Sequence, residues 1–324
     1  MRTALGLIRV ISILLVPRWL AAAEQPARFS QPVLGYVYDS SAGVVRVMLG
    51  VPGAASLDPA FDWKDGALSV SPGNTFGLAM GKSLALADWA GGPVRVRALG
   101  TVEGSPASVT WSPAGRTAAV AWEAGVVQVW TGLPDNPSLK TQLDLELPAG
   151  APISFAVSDD GGALAALAGG SLMKPDGNGG LAPVDPDRTY SAIAFAPGSS
   201  DLAASDPDDD QVALFRDLGS SAAGAVLAGT ADGLAGPAAL AFSRDGRRLV
   251  VANQRTGAIS VLDLGAGTSL TFDCQCQPEG FYPVRGNAVF RLNQSAKGNL
   301  TLLDADGEAP RTVLVSAEVE GSAQ

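Results

Sequence analysis

The stretch Leu240-Ala-Phe-Ser-Arg-Asp-Gly246, Arg248-Leu-Val-Val-Ala-Asn253, Ala258-Ile-Ser-Val-Leu-Asp263 decides how this chain is read. It holds a short apolar strand, a Ser-x-Asp-Gly turn, a strand of branched aliphatics, a polar turn ending in Gly257 and an alternating strand. β-Branched residues suit a pleated, packed surface, and Asp-Gly pairs supply turn conformations at little steric cost. The same grammar returns at Val109-Thr-Trp-Ser-Pro-Ala-Gly115, with 118–122 and 126–130 behind it. It returns at Phe155-Ala-Val-Ser-Asp-Asp-Gly161 with 164–168, and at Ile193-Ala-Phe-Ala-Pro-Gly198 with 202–205 and 212–215. An earlier copy opens at Leu68-Ser-Val-Ser-Pro-Gly73, with 76–80 and 84–87 behind it, and a weaker last copy opens at Phe281-Tyr-Pro-Val-Arg-Gly286.

The turn anchors Ser71, Ser112, Ser158, Ala196 and Ser243 lie 41, 46, 38 and 47 residues apart. Several short strands per repeat of 40 to 50 residues is the signature of a β-propeller, because one small sheet cannot cover both of its faces alone. The expected fold is all-β: a propeller of four-stranded antiparallel blades in one domain over residues 24–324. Leu34-Gly-Tyr-Val-Tyr-Asp39 and Val44-Val-Arg-Val-Met-Leu49 match the second and third strands of a repeat, without a clear first. With six anchored copies that gives seven blades. The alternative is six, with the N-terminal hairpin completing a last blade that ends in 312–315.

Composition agrees and removes some chemistry. Of 324 residues, 39 are Gly and 22 Pro, while 17% are charged, so the chain turns often and is poor in surface-helix formers. It contains no His. A Ser-His-Asp triad, a His-ligated zinc and His acid–base catalysis therefore have no residue to work with. Arg2 and Arg9, the stretch 10–16, apolar but for Ser12, and Ala21-Ala22-Ala23 before Glu24 read as an export signal over 1–23. The expected location is secreted or periplasmic, with no membrane span in the mature chain. Removing 1–23 takes away three Arg and no acid, leaving 19 basic against 32 acidic residues, a net −13. Nucleic acid, which binds through Lys and Arg, is not an expected partner.

The Ala-Phe-Ser-x-Asp-Gly-x-x-Leu-Val-Val-Ala-Asn…Ile-Ser-Val-Leu-Asp unit resembles the YVTN-type and WD-repeat-like β-propellers of exported bacterial proteins. The likeness covers essentially the whole mature chain, although the Gly-His and Trp-Asp pairs of true WD repeats are absent. It implies an architecture rather than an activity, since such propellers include lactonases, lyases, dehydrogenases and pure binding scaffolds. The resemblance also implies that the turns after each second strand share one face around the central channel. Those turns begin at Tyr38, Trp122, Asp206, Asn253 and Asn293, with Asp39, Glu123, Gln254, Arg255 and Arg291 as neighbours. Aromatic, amide and charged groups at a channel mouth suit a ligand or partner.

Two further groups carry possible chemistry. Cys274 and Cys276, two apart in an oxidising compartment, read first as a local disulfide, with free thiols or a redox or metal pair as the other readings. Asp206, Asp208 and Asp210 resemble the opening of a calcium loop, but Gln211 stands where that loop needs Gly, and an acidic turn is the plainer reading. No cofactor is expected. The expectation is a monomeric, non-catalytic binding or assembly module for an envelope or extracellular protein, peptide or glycan. Its rival is a lactonase-like hydrolase using a carboxylate-bound divalent metal.

Overall fold

A computed structural model describes residues 31–100, 104–145, 153–219, 224–293 and 299–316. The leader assigned to 1–23 lies outside these residues. The chain forms seven consecutive antiparallel sheets, each from one continuous stretch. The first is β1 (Val33–Asp39), β2 (Val44–Val51) and β3 (Ala54–Asp62). The second is β4 (Ala67–Val70), β5 (Phe76–Met80), β6 (Leu84–Asp88) and β7 (Arg95–Gly100). The third is β8 (Pro106–Trp111), β9 (Ala118–Trp122), β10 (Val126–Thr131) and β11 (Ser138–Asp144). The fourth is β12 (Ile153–Val157), β13 (Leu164–Ala168), β14 (Ser171–Pro175) and β15 (Leu181–Asp185). The fifth is β16 (Ala192–Phe195), β17 (Leu202–Asp206), β18 (Gln211–Phe215) and β19 (Gly224–Ala228). The sixth is β20 (Pro237–Phe242), β21 (Arg248–Asn253), β22 (Ala258–Asp263) and β23 (Thr268–Asp273). The seventh is β24 (Tyr282–Pro283), β25 (Val289–Arg291), β26 (Leu300–Asp304) and β27 (Arg311–Val315).

This is a seven-bladed β-propeller. The six-blade alternative fails because β1–β3 pair only among themselves and do not complete the sheet of β24–β27. The expectation of four strands per blade holds in six blades; among the described residues the first has three. Its strands take the second, third and fourth positions. Tyr38 at the end of β1 donates its hydroxyl to the Gly66 carbonyl just before β4. The Arg285 amide, in the turn after β24, donates to the Leu34 carbonyl at the start of β1. β1 thus runs in the sense of a second strand, as the sequence pattern indicated.

Packing explains the residue choice. The second strands β9, β13 and β17 are buried along nearly their whole length and built largely of Ala, which lets neighbouring sheets approach closely. Apolar clusters sit between blades: Phe76, Leu78, Val120, Trp122 and Trp130 fill the space between the second and third. The ring closes the same way, with Leu34, Met48 and Leu57 of the first blade against Val289, Leu300 and Leu302 of the seventh. Among the described residues, face-to-face packing joins the two end blades.

The anchor turns add a polar belt on one face. The backbone amides of Ser71, Ser112, Ser158, Ala196 and Ser243 each donate to the carbonyl five residues on, at 2.8–3.0 Å. Ser71 Oγ also donates to the Gly115 carbonyl of the next blade at 2.6 Å. Gly115 sits at φ +68, and a Cβ there would lie 2.6 Å from Ser71 Oγ, so both conformation and contact demand glycine. Asp159 carries one carboxylate across three blades, accepting from Ala114 N at 2.7 Å and Gly198 N at 2.8 Å.

Candidate functional site

A cleft of about 660 Å³ opens between the first, second, third and seventh blades. Tyr36 and Tyr38 of β1, Ser69 of β4 and Trp111 of β8 line it, with Glu279, Tyr282 and Arg291 opposite. Trp111 is held by its indole N–H, which donates to Ser69 Oγ at 2.9 Å, and by an edge-on contact with Phe76. Tyr36 packs edge-on against Trp89. Arg291 lies over the Tyr282 ring, 4.9 Å from its centre, a cation–π arrangement that strengthens with desolvation. Burial pushes the Arg291 guanidinium down to about 10, against the pull of Tyr282 and Glu279 in the other direction. It remains cationic at neutral pH. Burial likewise raises the Tyr282 hydroxyl, with Arg291 opposing that shift. The cleft is therefore aromatic-walled, with one half-buried cation and a carboxylate at its rim.

Of the sequence-derived mouth residues, the structure brings Tyr38 and Arg291 together in this cleft. Four others are buried, their side chains engaged within the fold. Asp39 accepts from Ser41 N, Ser41 Oγ and Ala42 N with one oxygen, and from Arg46 with the other. Trp122 is 2% exposed and belongs to the inter-blade core. Asn253 accepts from Ala235 N and donates to Ser260 Oγ. Asp206 accepts from the amides of Asp208 and Asp209, and its other oxygen lies 2.9 Å from Arg188. Glu123, Gln254 and Arg255 are exposed on the turns. Asn293 accepts from Thr301 N and donates to the Asn299 carbonyl.

The acidic turn is organised by arginines. Arg188 pairs with Asp206 and Asp209, and Arg255 pairs with Asp210. Asp208 is exposed. Among the described residues no group of three or more carboxylates or cysteines is placed to hold a metal ion. Cys274 and Cys276 form a disulfide on the connection into the seventh blade, with a Cα–Cα distance of 5.1 Å. Gln275 between them takes φ +50, and its amide donates to Asp273 Oδ1. Among the described residues no helix is long and apolar enough to cross a membrane.

Sequence reasoning did not place Tyr36, Trp111, Glu279 or Tyr282 in a site. No local signal marks them. They meet because ring closure sets the seventh blade against the first two: Arg285 Nε donates to the Gly73 carbonyl across 212 residues of chain.

No family model matches this sequence, and no curated protein matches it. Solved structures share the fold at low identity. A candidate 6-phosphogluconolactonase from Bacteroides fragilis is 12% identical, over 88% of this chain and 94% of its own, with a TM-score of 0.55. Another from Bacteroides uniformis is 14% identical, over 88% and 96%, with a TM-score of 0.55. A functionally unknown protein from Desulfotomaculum acetoxidans is 13% identical, over 89% and 100%, with a TM-score of 0.53. Likeness at this identity establishes a common propeller architecture and leaves activity to the residues of each site.

Proposed function

We propose that this chain is an exported, non-catalytic binding or assembly module. It presents the mouth of its channel to a protein, peptide or glycan of the envelope or extracellular space. The observation that carries this reading is the cleft in which Tyr38, Tyr282 and Arg291 converge from opposite ends of the sequence. Aromatic walls with a cation near them are what partner sites are built from, since large rings bury much area at little entropic cost and Arg adds direction. The lack of His supports a non-catalytic role. The arginine pairing of Asp206, Asp209 and Asp210 supports a structural reading of the acidic turn.

The rival is a lactonase-like hydrolase with a carboxylate-bound divalent metal, and two of the similar structures carry a lactonase description. One experiment separates the two. The immobilised chain is exposed to an envelope extract beside Arg291→Gln and Tyr38→Ala variants of unchanged melting temperature. Metal content and the thermal response to EDTA are measured in parallel. A partner retained by the parent and lost by both variants supports the binding reading. A stoichiometric metal whose removal lowers the melting temperature, with no partner captured, overturns it.

A further inference from the structure

A second space lies at the end of the channel where the anchor turns gather. It measures about 180 Å³ and is walled by β8, β12, β16, β20 and β24, with Phe155, Phe195, Leu240 and Phe242 among its lining residues. Pro72, Pro113 and Pro197 of the anchor turns bound it on that face. Among the described residues Arg244 is the one charged group lining it. At roughly 30 Å³ for a water-sized group, the space takes about six of them.

Two arginines meet at this end of the channel. Arg244, in the anchor turn of the sixth blade, donates its amide to the Asn287 carbonyl and reaches toward the second blade. A Cβ on Gly73 would lie 2.9 Å from its Nη2. Arg285, in the seventh blade, donates its Nε to the Gly73 carbonyl at 3.2 Å. The two guanidiniums thus converge on one glycine. Both side chains are exposed, and none of the ion pairs among the described residues includes either. The carboxylates of the neighbouring turns are engaged otherwise. Asp245 accepts from Ser243 Oγ and Arg247 N, and Asp306 accepts from Asn287 N and Ala288 N. Like charges held near one another repel, and an anion beside both lowers that energy.

We infer that this end of the channel binds a carboxylate carrying a short apolar tail. The head sits on Arg244 and Arg285, and the tail enters the space lined by Phe155, Phe195, Leu240 and Phe242. A guanidinium fork matches the two oxygens of a carboxylate. Each methylene that leaves water for such a space adds to the affinity, and the volume sets the tail at about six carbons. The inference stands apart from the partner reading of the cleft, since Tyr36, Tyr38, Tyr282 and Arg291 take no part in it.

Octanoate titrated calorimetrically into the full chain tests this, beside acetate, which lacks the tail, and octanol, which lacks the charge. Octanoate should bind at one equivalent, and each of the other two at least about tenfold more weakly. Arg244→Gln, a change at an exposed side chain, should keep the parent melting temperature. It should weaken octanoate at least about tenfold and leave octanol within about twofold, a split that a general loss of structure would not produce. An octanoate bearing a diazirine at its tail, photolysed on the parent chain, should label the peptides holding 155–157, 193–195 and 240–242. Octanoate binding no tighter than acetate or octanol overturns the inference. So does unchanged octanoate binding in folded Arg244→Gln, or a label confined to Tyr36, Tyr38 and Tyr282, which would place the ligand in the cleft.

Discussion

Removing the Asp159 carboxylate should loosen the ring without touching its core. Asp159 is half-buried in the turn between β12 and β13, and its two oxygens accept from Ala114 N and Gly198 N in the blades on either side. Hydrogen bonds to a charged acceptor contribute about 1.5–3 kcal/mol each. Gly198 and Ala114 are exposed, so water can replace the lost partner, and the low end of that range is the relevant one. Asp159→Ala is therefore expected to cost about 2–3 kcal/mol, and Asp159→Asn, which keeps one acceptor, about half as much. With an unfolding entropy near 2.1 cal/mol/K per residue, the alanine variant should melt roughly 3–5 °C lower. The control is Asp176→Ala. Asp176 accepts from Asn178 N and Gly180 N within its own turn and reaches no other blade. Calorimetry together with urea unfolding measures all three. An Asp159→Ala midpoint equal to the parent, or no lower than that of Asp176→Ala, would refute the view that this carboxylate holds three blades together.

Other expectations follow from the same structure. Trp122→Ala should cost about 3–5 kcal/mol, because the ring is buried between blades, while Tyr38→Ala, which removes a half-buried ring, should cost less and weaken partner capture. Denaturation curves and pull-downs on the two variants check the contrast. The carboxyls of Asp39, Asp160 and Asp245 are held below their ordinary value. At Asp160 the Ser158 hydroxyl leads. At Asp39 and Asp245 burial pushes upward, but the hydroxyls of Ser41 and Ser243 and nearby amides outweigh it. Depressed carboxyls stabilise the fold above about pH 4 and lose that contribution as pH falls through their folded values. Stability should therefore decline below about pH 4, and Ser158→Ala should flatten that decline in a pH series of urea midpoints. The Cys274–Cys276 disulfide closes a loop too short to restrict the unfolded chain by more than about 1.6 kcal/mol. Replacing both with Ser should lower the melting temperature by only a few degrees, and a larger loss in calorimetry would show that the bond positions the seventh blade.

The repeat was readable because each blade reuses one local chemistry. Apolar residue, anchor Ser, turn Gly and buried apolar strand recur at Trp111 to Trp122 and at Phe242 to Asn253, and each is dictated by neighbours a few residues away. Except for 312–315, the outermost strands were not readable. Arg95–Gly100 and Ser138–Asp144 are largely exposed, so burial imposes no strict alternation on them. Mouth residues were named by their turn position alone. That rule selected Trp122, Asp206 and Asn253, whose side chains turn inward to serve the fold. It passed over Tyr36 and Tyr282, which lie within or at the start of strands.

The sequence by itself determined the all-β class and the repeating four-stranded blade, and favoured seven blades over six, because these rest on spacing and on contacts between near neighbours; the sheet pairing then decided for seven. It also determined the absence of histidine chemistry. The tertiary structure alone decided which aromatic rings meet around Arg291 and which carboxylates are tied to arginines. Those depend on how a ring closes. Packing the seventh blade against the first brings together residues that no local pattern links, and only the completed circle sets their distances.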